Sequence, residues 1–200
     1  MQLDLLILIF VSLLLIWAGY SDSRTRIIPR FASYGLICAA LIWLILNGLW
    51  WEAAFLLIAV LTPTGRMISL VSEIAGFGLL ILRGFETSTI FFILGVVVVR
   101  FMMGRKWLGG GDAQVAVAMI AITRAPEFLL FLAVVTILVW MIISIKHFGF
   151  KGWLIRTRFV AKNLGRPVES DNERLRSPWV VTLAMCSLVY IWFVPGLAWM

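Results

Sequence analysis

The feature that most constrains this chain is its succession of long apolar stretches separated by short charged segments. A stretch of about 20 apolar residues spans the hydrocarbon of a bilayer as a helix, which satisfies its own backbone N–H and C=O groups. Apolar residues make up 62% of the sequence, whereas a soluble domain has about 45–50%. The pattern therefore predicts an all-α, polytopic transmembrane bundle and excludes a water-soluble globular protein.

The apolar stretches predict about eight membrane spans, with six as the minimum, in a single membrane domain that covers residues 1–200. Between residues 51 and 104, charged residues divide the apolar sequence into short pieces. Either short breaks join additional short helices in this part, or one of the pieces lies along the membrane interface. The predicted stretches are residues 3–20, 31–50, 53–61, 67–82, 88–103, 113–122, 128–145 and 179–199.

Basic residues concentrate in three connections, and the positive-inside rule places all three in the cytoplasm, with the N-terminus outside. Residues 146–177 are predicted to be a basic cytoplasmic loop on the membrane surface, with anionic lipid as its partner. A pI of about 10.1 is also typical of nucleic-acid binding. Because the basic residues adjoin membrane spans, topology and lipid explain them, and no nucleic-acid partner is predicted. The first two groups are Arg24, Arg26 and Arg30, then Arg100, Arg105 and Lys106.

Two aspartates stand out because they lie at the predicted cytoplasmic ends of spans. Asp22 directly follows the first span, and Asp112 opens a later span after three glycines at residues 109–111. A carboxylate beside hydrocarbon is costly unless it is hydrated, paired or neutral, so both are candidates for function. Structural roles are also open, because Asp112 is suited to cap a helix and Asp22 to pair with Arg24 or Arg26.

The order of these motifs resembles the prepilin peptidase family of aspartic membrane proteases. In that family one catalytic aspartate lies a few residues before an Ile-Pro-Asn element, and the other is the acid of a Gly-x-Gly-Asp motif. The resemblance extends in order over essentially the whole chain. It implies that Asp22 and Asp112 are catalytic and that four further residues support them. Those supporting residues are Ile28, Pro29, Gly109 and Gly111.

The resemblance implies a membrane aspartic endopeptidase of the inner (plasma) membrane that removes the leader peptide of type IV-like prepilins at the cytoplasmic face. A prepilin-like membrane protein is then the substrate, and pilus assembly machinery is a further expected partner. Larger members of the family also carry a cysteine-rich N-terminal segment and methylate the new N-terminus. This chain has two cysteines and a first span that begins near residue 3. It is therefore expected to lack N-methyltransferase activity, like the short members of Flp-type or tight-adherence pilus systems.

Three departures from the family pattern keep an alternative open. Arg30 stands where the family usually has Asn, and Gln114 stands where a Lys commonly follows the motif aspartate. The two aspartates are also separated by more than the family's usual two spans. The alternative is a non-catalytic membrane scaffold of a pilus or secretion assembly system. No metal or organic cofactor is predicted, since the sequence has neither a Cys-x-x-Cys pair nor a Walker-type phosphate loop.

Overall fold

The computed structural model describes residues 2–25, 27–61, 66–104, 108–162 and 179–193. Within these ranges all regular secondary structure is helical, so the all-α prediction is confirmed. The helices are α1 (Gln2–Thr25), α2 (Arg30–Leu46), α3 (Trp50–Leu61), α4 (Arg66–Leu82), α5 (Thr87–Gly104), α6 (Gly110–Thr123), α7 (Pro126–Lys162) and α8 (Trp179–Phe193).

Several of these helices have the length and composition of membrane helices. Three are long and apolar enough to cross a bilayer, namely Leu5–Thr25, Thr87–Gly104 and Glu127–Lys146. Four shorter helices, α2, α3, α6 and α8, are also apolar. Between residues 51 and 104, the described ranges form the separate helices α3, α4 and α5. The helices indicate a membrane-associated protein.

The basic segment after the apolar stretch at residues 128–145 is helical in its first part. The sequence predicts a loop over residues 146–177, but α7 continues as far as Lys162, so residues 146–162 are helical. The backbone breaks within this helix at Gly149, where φ is 68° and ψ is 170°. Glycine adopts this conformation without the clash of a Cβ, and no proline follows before Lys162 to stop a new helix. Residues 163–177 of the predicted loop lie outside the described residues.

The centre of the bundle is α6, which other helices enclose along almost its whole length. Small side chains make this possible, because Ala113, Ala116, Ala118 and Ala121 are all buried in it. The most extensive helix pair in the structure is α2 with α6, and α3, α5, α7 and α8 also contact α6. Small residues let helix backbones approach closely, which is how helices associate in lipid without a hydrophobic driving force.

The helices α2 and α8, which contact α6, also pack against α1. Gly35 of α2 packs so closely on α1 that a Cβ there would lie 2.9 Å from Leu14 Cδ1. A Cβ on Gly19 of α1 would lie 3.4 Å from Ala184 Cβ of α8. At the far end of α8, the indole N–H of Trp192 donates to Ser12 Oγ at 3.0 Å. Because these contacts pair the start of α8 with the end of α1, the two helices are antiparallel.

Gly95 provides a test of this packing, with Gly78 as a matched control. A Cβ at Gly95 of α5 would lie 2.9 Å from Ile120 Cγ2 of α6, whereas a Cβ at Gly78 of α4 meets nothing within 4 Å. We expect Gly95→Ala to lower the free energy of unfolding by about 1–3 kcal/mol through overpacking. Gly78→Ala should leave it unchanged or slightly higher, because alanine favours the helix. Thermal unfolding in one detergent compares the two, and equal melting temperatures would contradict the α5–α6 contact.

Candidate active site

Asp22 lies in the last turn of α1 and is buried, with only 7% of its surface exposed. The neighbouring Ser23 and Arg24 are exposed, so the aspartate faces the protein while its sequence neighbours face outward. The guanidinium of Arg24 lies over the ring of Tyr20, 5.2 Å from the ring centre. The carboxylate of Asp22 is therefore held against the bundle at the end of α1.

The chain reverses direction immediately after this aspartate, and local hydrogen bonds fix the reversal. Ser21 Oγ donates to the carbonyl of Ile27 at 2.7 Å, and Thr25 Oγ1 accepts the backbone N–H of Ile27 at 3.3 Å. Pro29 then serves as the N-cap of α2, with φ −60° and ψ 133°. Its fixed φ suits this position, and proline has no N–H to leave unsatisfied. The Ile28-Pro29 element is therefore held directly beside the end of α1.

Asp112 is the third residue of α6, after the N-cap Gly109. One of its carboxylate oxygens, Oδ2, accepts the backbone N–H of Gly109 at 3.2 Å. This contact is the acidic half of a capping box, and the glycine has no side chain to complete the other half. The capping role that the sequence left open for Asp112 is thus present in the structure. The contact also fixes the direction of the carboxylate at the start of the helix.

Ile28 and Gly111 bring the two sequence motifs together. A Cβ on Gly111 would lie 3.2 Å from Ile28 Cβ and 3.3 Å from its Cδ1, so only a bare glycine lets the isoleucine pack here without adjustment. On its other side Ile28 packs against Ala18, Ala32 and Val180. The end of α1 and the starts of α2, α6 and α8 therefore meet at one end of the bundle. We call it the aspartate end, because Asp22 and Asp112 both lie there.

The residues that depart from the family pattern also lie at the aspartate end. Arg30 is the first residue of α2 and is exposed, and Gln114 lies in the second turn of α6, half-buried. Within the described part of the chain, no three His, Cys, Asp or Glu side chains come together as a metal-binding group. The carboxylates of Asp22 and Asp112 can support proton transfer.

The opposite end of α6 holds a buried ionic cluster that the sequence did not predict. Glu52, in the first turn of α3, has no exposed surface. The Nε and Nη2 atoms of Arg83 lie 3.0 and 3.2 Å from its two carboxylate oxygens, a two-point contact. Arg124 Nη2 lies 3.3 Å from Glu52 Oε1. We call this the glutamate end.

Hydroxyl groups complete the cluster at the glutamate end. Arg124 Nη2 also donates to Ser88 Oγ and to Thr89 Oγ1, each at 3.2 Å. Arg124 itself is the C-cap of α6 in the left-handed conformation, with φ 46° and ψ 14°. Burial lowers the pKa of Arg124, and the Glu52 carboxylate acts in the opposite direction. Since an arginine starts from so high a pKa, it keeps its charge and balances the buried acid.

The sequence carries one signal for this cluster. Glu52, Arg83 and Arg124 each stand at the boundary of an apolar stretch. The topology predicted from the sequence puts these boundaries outside, where the positive-inside rule predicts few arginines. Two arginines on that side are therefore unexpected unless an acid neutralises them. The sequence does not say which acid it is, because the partners are 31 and 72 residues apart.

The contact between Ile28 and Gly111 can be tested against a neighbouring glycine. We expect Gly111→Val to lower the free energy of unfolding by about 1–3 kcal/mol, because the new side chain displaces Ile28. The melting temperature in detergent should fall accordingly. Gly110→Val is the control, since a Cβ at Gly110 meets nothing within 4 Å. Equal effects of the two variants would mean that Gly111 and Ile28 are not in contact.

Comparison of the chain with protein-family models, with curated proteins and with solved structures found no match. What the aspartate end does must therefore be inferred from its own residues and from the order of its motifs.

Proposed function

We propose that this protein is a membrane aspartic endopeptidase in which Asp22 and Asp112 form the catalytic pair. The observation that carries the proposal is the contact between Ile28 and Gly111, which joins the two motifs at one end of the bundle. In the sequence these motifs are separated by about 90 residues. Two short patterns that match a protease family in order, and that also meet in the fold, are a more specific signal than either pattern alone.

The chemistry of the proposed pair follows from the repulsion between two nearby carboxylates. They do not both ionise readily, so the pair shares one proton and titrates as a unit. The ionised carboxylate takes a proton from water as the water oxygen attacks the peptide carbonyl. The protonated carboxylate donates its proton to the carbonyl oxygen. Collapse of the tetrahedral intermediate then breaks the C–N bond, with a proton delivered to the leaving amine, and no covalent enzyme intermediate forms.

The proposed membrane arrangement has eight spans in the inner (plasma) membrane, with the aspartate end in the cytoplasm. Exposed Arg24 and Arg30 at that end support this orientation through the positive-inside rule. Consecutive helices that alternate in direction put the glutamate end on the outer side. The two arginines there are compatible with an outer location because each contacts the Glu52 carboxylate.

The proposed substrate is a type IV-like prepilin whose basic leader lies in the cytoplasm and whose apolar helix lies in the membrane. Cleavage after a glycine at the junction of these two parts requires catalytic groups at the cytoplasmic surface. A buried Asp22 at the end of a candidate span provides a group at such a boundary. Methylation of the new N-terminus is not part of the proposal, in keeping with the short members that the sequence resembles.

The proposal is tested by co-expressing the protein with candidate prepilins from the same genome and following leader removal by gel shift and mass spectrometry. We expect cleavage after a glycine, and a loss of about 10²-fold or more in both Asp22→Asn and Asp112→Asn. Glu127→Asn is a control for removing an exposed acid at the opposite end. Immunoblots must show equal amounts of all four proteins in the membrane.

Each outcome of this experiment distinguishes between the two candidate functions. Cleavage that survives in either aspartate variant would refute the catalytic pair. If no candidate prepilin is cut, the non-catalytic scaffold of a pilus or secretion assembly system becomes the better account. The capping contact between Asp112 and Gly109 gives that aspartate a role in such a scaffold.

The orientation has its own test, by labelling with a membrane-impermeant maleimide. Ser23 at the aspartate end and Glu86 at the glutamate end are both exposed, so each is a suitable cysteine position. In a background with Cys38→Ser and Cys186→Ala, we expect Glu86→Cys to be labelled in intact spheroplasts. Ser23→Cys should be labelled only after the membrane is opened. The reverse pattern would invert the proposed topology and place the aspartates outside.

A further inference from the structure

The ionic cluster at the glutamate end lies at the C-terminus of α6, the same helix that carries Asp112 at its N-terminus. Arg124 and Asp112 are 12 residues apart, which corresponds to about 18 Å along a helix at 1.5 Å per residue. A single helix of this length moves as a rigid rod along its axis. Whatever fixes Arg124 along the axis therefore also fixes Asp112.

The other contacts of α6 fix its position along the helix axis less firmly than the ionic cluster does. Its described side chains between the ends are mainly alanine, valine and isoleucine, which pack against apolar neighbours on all sides. Apolar packing is non-directional and depends mainly on the area that is buried. An ion pair with hydrogen-bonded partners, in contrast, requires one geometry. Specifying the register of a helix is the best-attested role of buried polar groups.

Glu52 joins several elements that are otherwise separate at this end. Its carboxylate contacts Arg83, just beyond α4, and Arg124, at the end of α6. Thr89 Oγ1, in the first turn of α5, lies 3.5 Å from Glu52 Oε1. A shift of α6 by one turn, about 5.4 Å, would separate Arg124 from this carboxylate and leave a buried charge without its partner.

We propose that Glu52 is a positioning residue that sets the axial register of α6, and through it the place of Asp112 relative to Asp22. Its relevance to catalysis rests on the proposed peptidase function, whereas its effect on helix register does not. A displacement of about 1 Å at a reacting group can reduce a rate by about 10²-fold. The cluster is thus a remote determinant of the catalytic geometry, on the opposite side of the bundle from the chemistry.

The close contact between Gly111 and Ile28 at the aspartate end provides a way to measure this register. A Cβ on Gly111 would lie 3.2 Å from Ile28 Cβ, close to the separation of about 3.5–4.5 Å that a disulfide requires. The pair Ile28→Cys and Gly111→Cys should therefore form a disulfide on mild oxidation. The background again carries Cys38→Ser and Cys186→Ala, so that no native thiol competes.

The test compares the rate of this disulfide in membranes for the parent pair, for Glu52→Gln and for the control Glu127→Gln. Glu127 is an exposed acid at the start of α7, beside the same end of α6. We expect the rate to fall by about tenfold or more in Glu52→Gln, because disulfide geometry is specific, and to stay unchanged in Glu127→Gln. A contribution of Glu52 to stability alone would lower the melting temperature and leave the disulfide rate of the folded protein unchanged.

Arg124→Lys keeps the proposal testable if Glu52→Gln does not accumulate in the membrane. Lysine retains the charge but loses Nη2, the one guanidinium nitrogen that contacts Glu52, Ser88 and Thr89, so we expect a smaller decrease in the disulfide rate. An unchanged rate in the variants that fold would overturn the proposal. The disulfide does not require cleavage of a substrate, so failure of the peptidase proposal would be seen separately, in the aspartate variants.

In the enzyme with an intact Gly111 and Ile28, the same substitution has a kinetic consequence. We expect Glu52→Gln to lower kcat for leader removal by about 10²-fold with little change in KM, because the defect is in the position of a catalytic group. If kcat per folded enzyme stays at the parent value and the disulfide rate is unchanged, Glu52 contributes to folding only, because a smaller folded fraction lowers the apparent kcat and leaves KM unaltered.

Discussion

Because α6 is enclosed by other helices, neither lipid nor water can compensate for a polar group in its interior. Helical backbone hydrogen bonds satisfy its amides, and its side chains between residues 115 and 122 are apolar and buried. Its polar side chains are confined to its two ends, where Asp112 and Arg124 lie. The remaining helices pack around this central element, so its composition determines where polar chemistry can occur in the whole bundle.

The two ends of α6 use their charges in different ways. At the glutamate end the acid is fully buried, and arginines contact both of its oxygens. Such a cluster fixes the relative positions of its helices more than it stabilises the fold, since the Coulombic attraction is largely offset by the desolvation of the charges. At the aspartate end Asp112 accepts a backbone N–H, and Asp22 is buried beside an exposed turn. Both carboxylates thus lie at one end of the bundle, where the proposed acid–base catalysis would take place.

Glycines determine how closely the two motifs approach. Gly111 has no Cβ to separate α6 from Ile28, and the isoleucine in turn packs on small residues of α1 and α2. A glycine in a motif can be explained by backbone conformation or by close approach. Here the close approach applies to Gly111. Gly110 faces open space, and nothing in the structure explains why that position holds a glycine.

The sequence alone determined the helical class and most helix positions, because the length of an apolar stretch is fixed by the thickness of the bilayer. It also identified Asp22 and Asp112 as unusual, since a carboxylate beside hydrocarbon needs an explanation. After residue 145 the composition suggested a loop, whereas the chain continues as a helix past Gly149.

Only the tertiary structure decided which distant residues meet. The partners of Glu52 are far away in sequence, and no periodicity within one helix encodes a pairing between helices. Packing also buries the side chain of Glu52 completely, which no pattern within the sequence shows. The contact between Ile28 and Gly111 likewise depends on how α2 and α6 pack, because hydropathy specifies that helices are buried in a membrane but does not specify their neighbours.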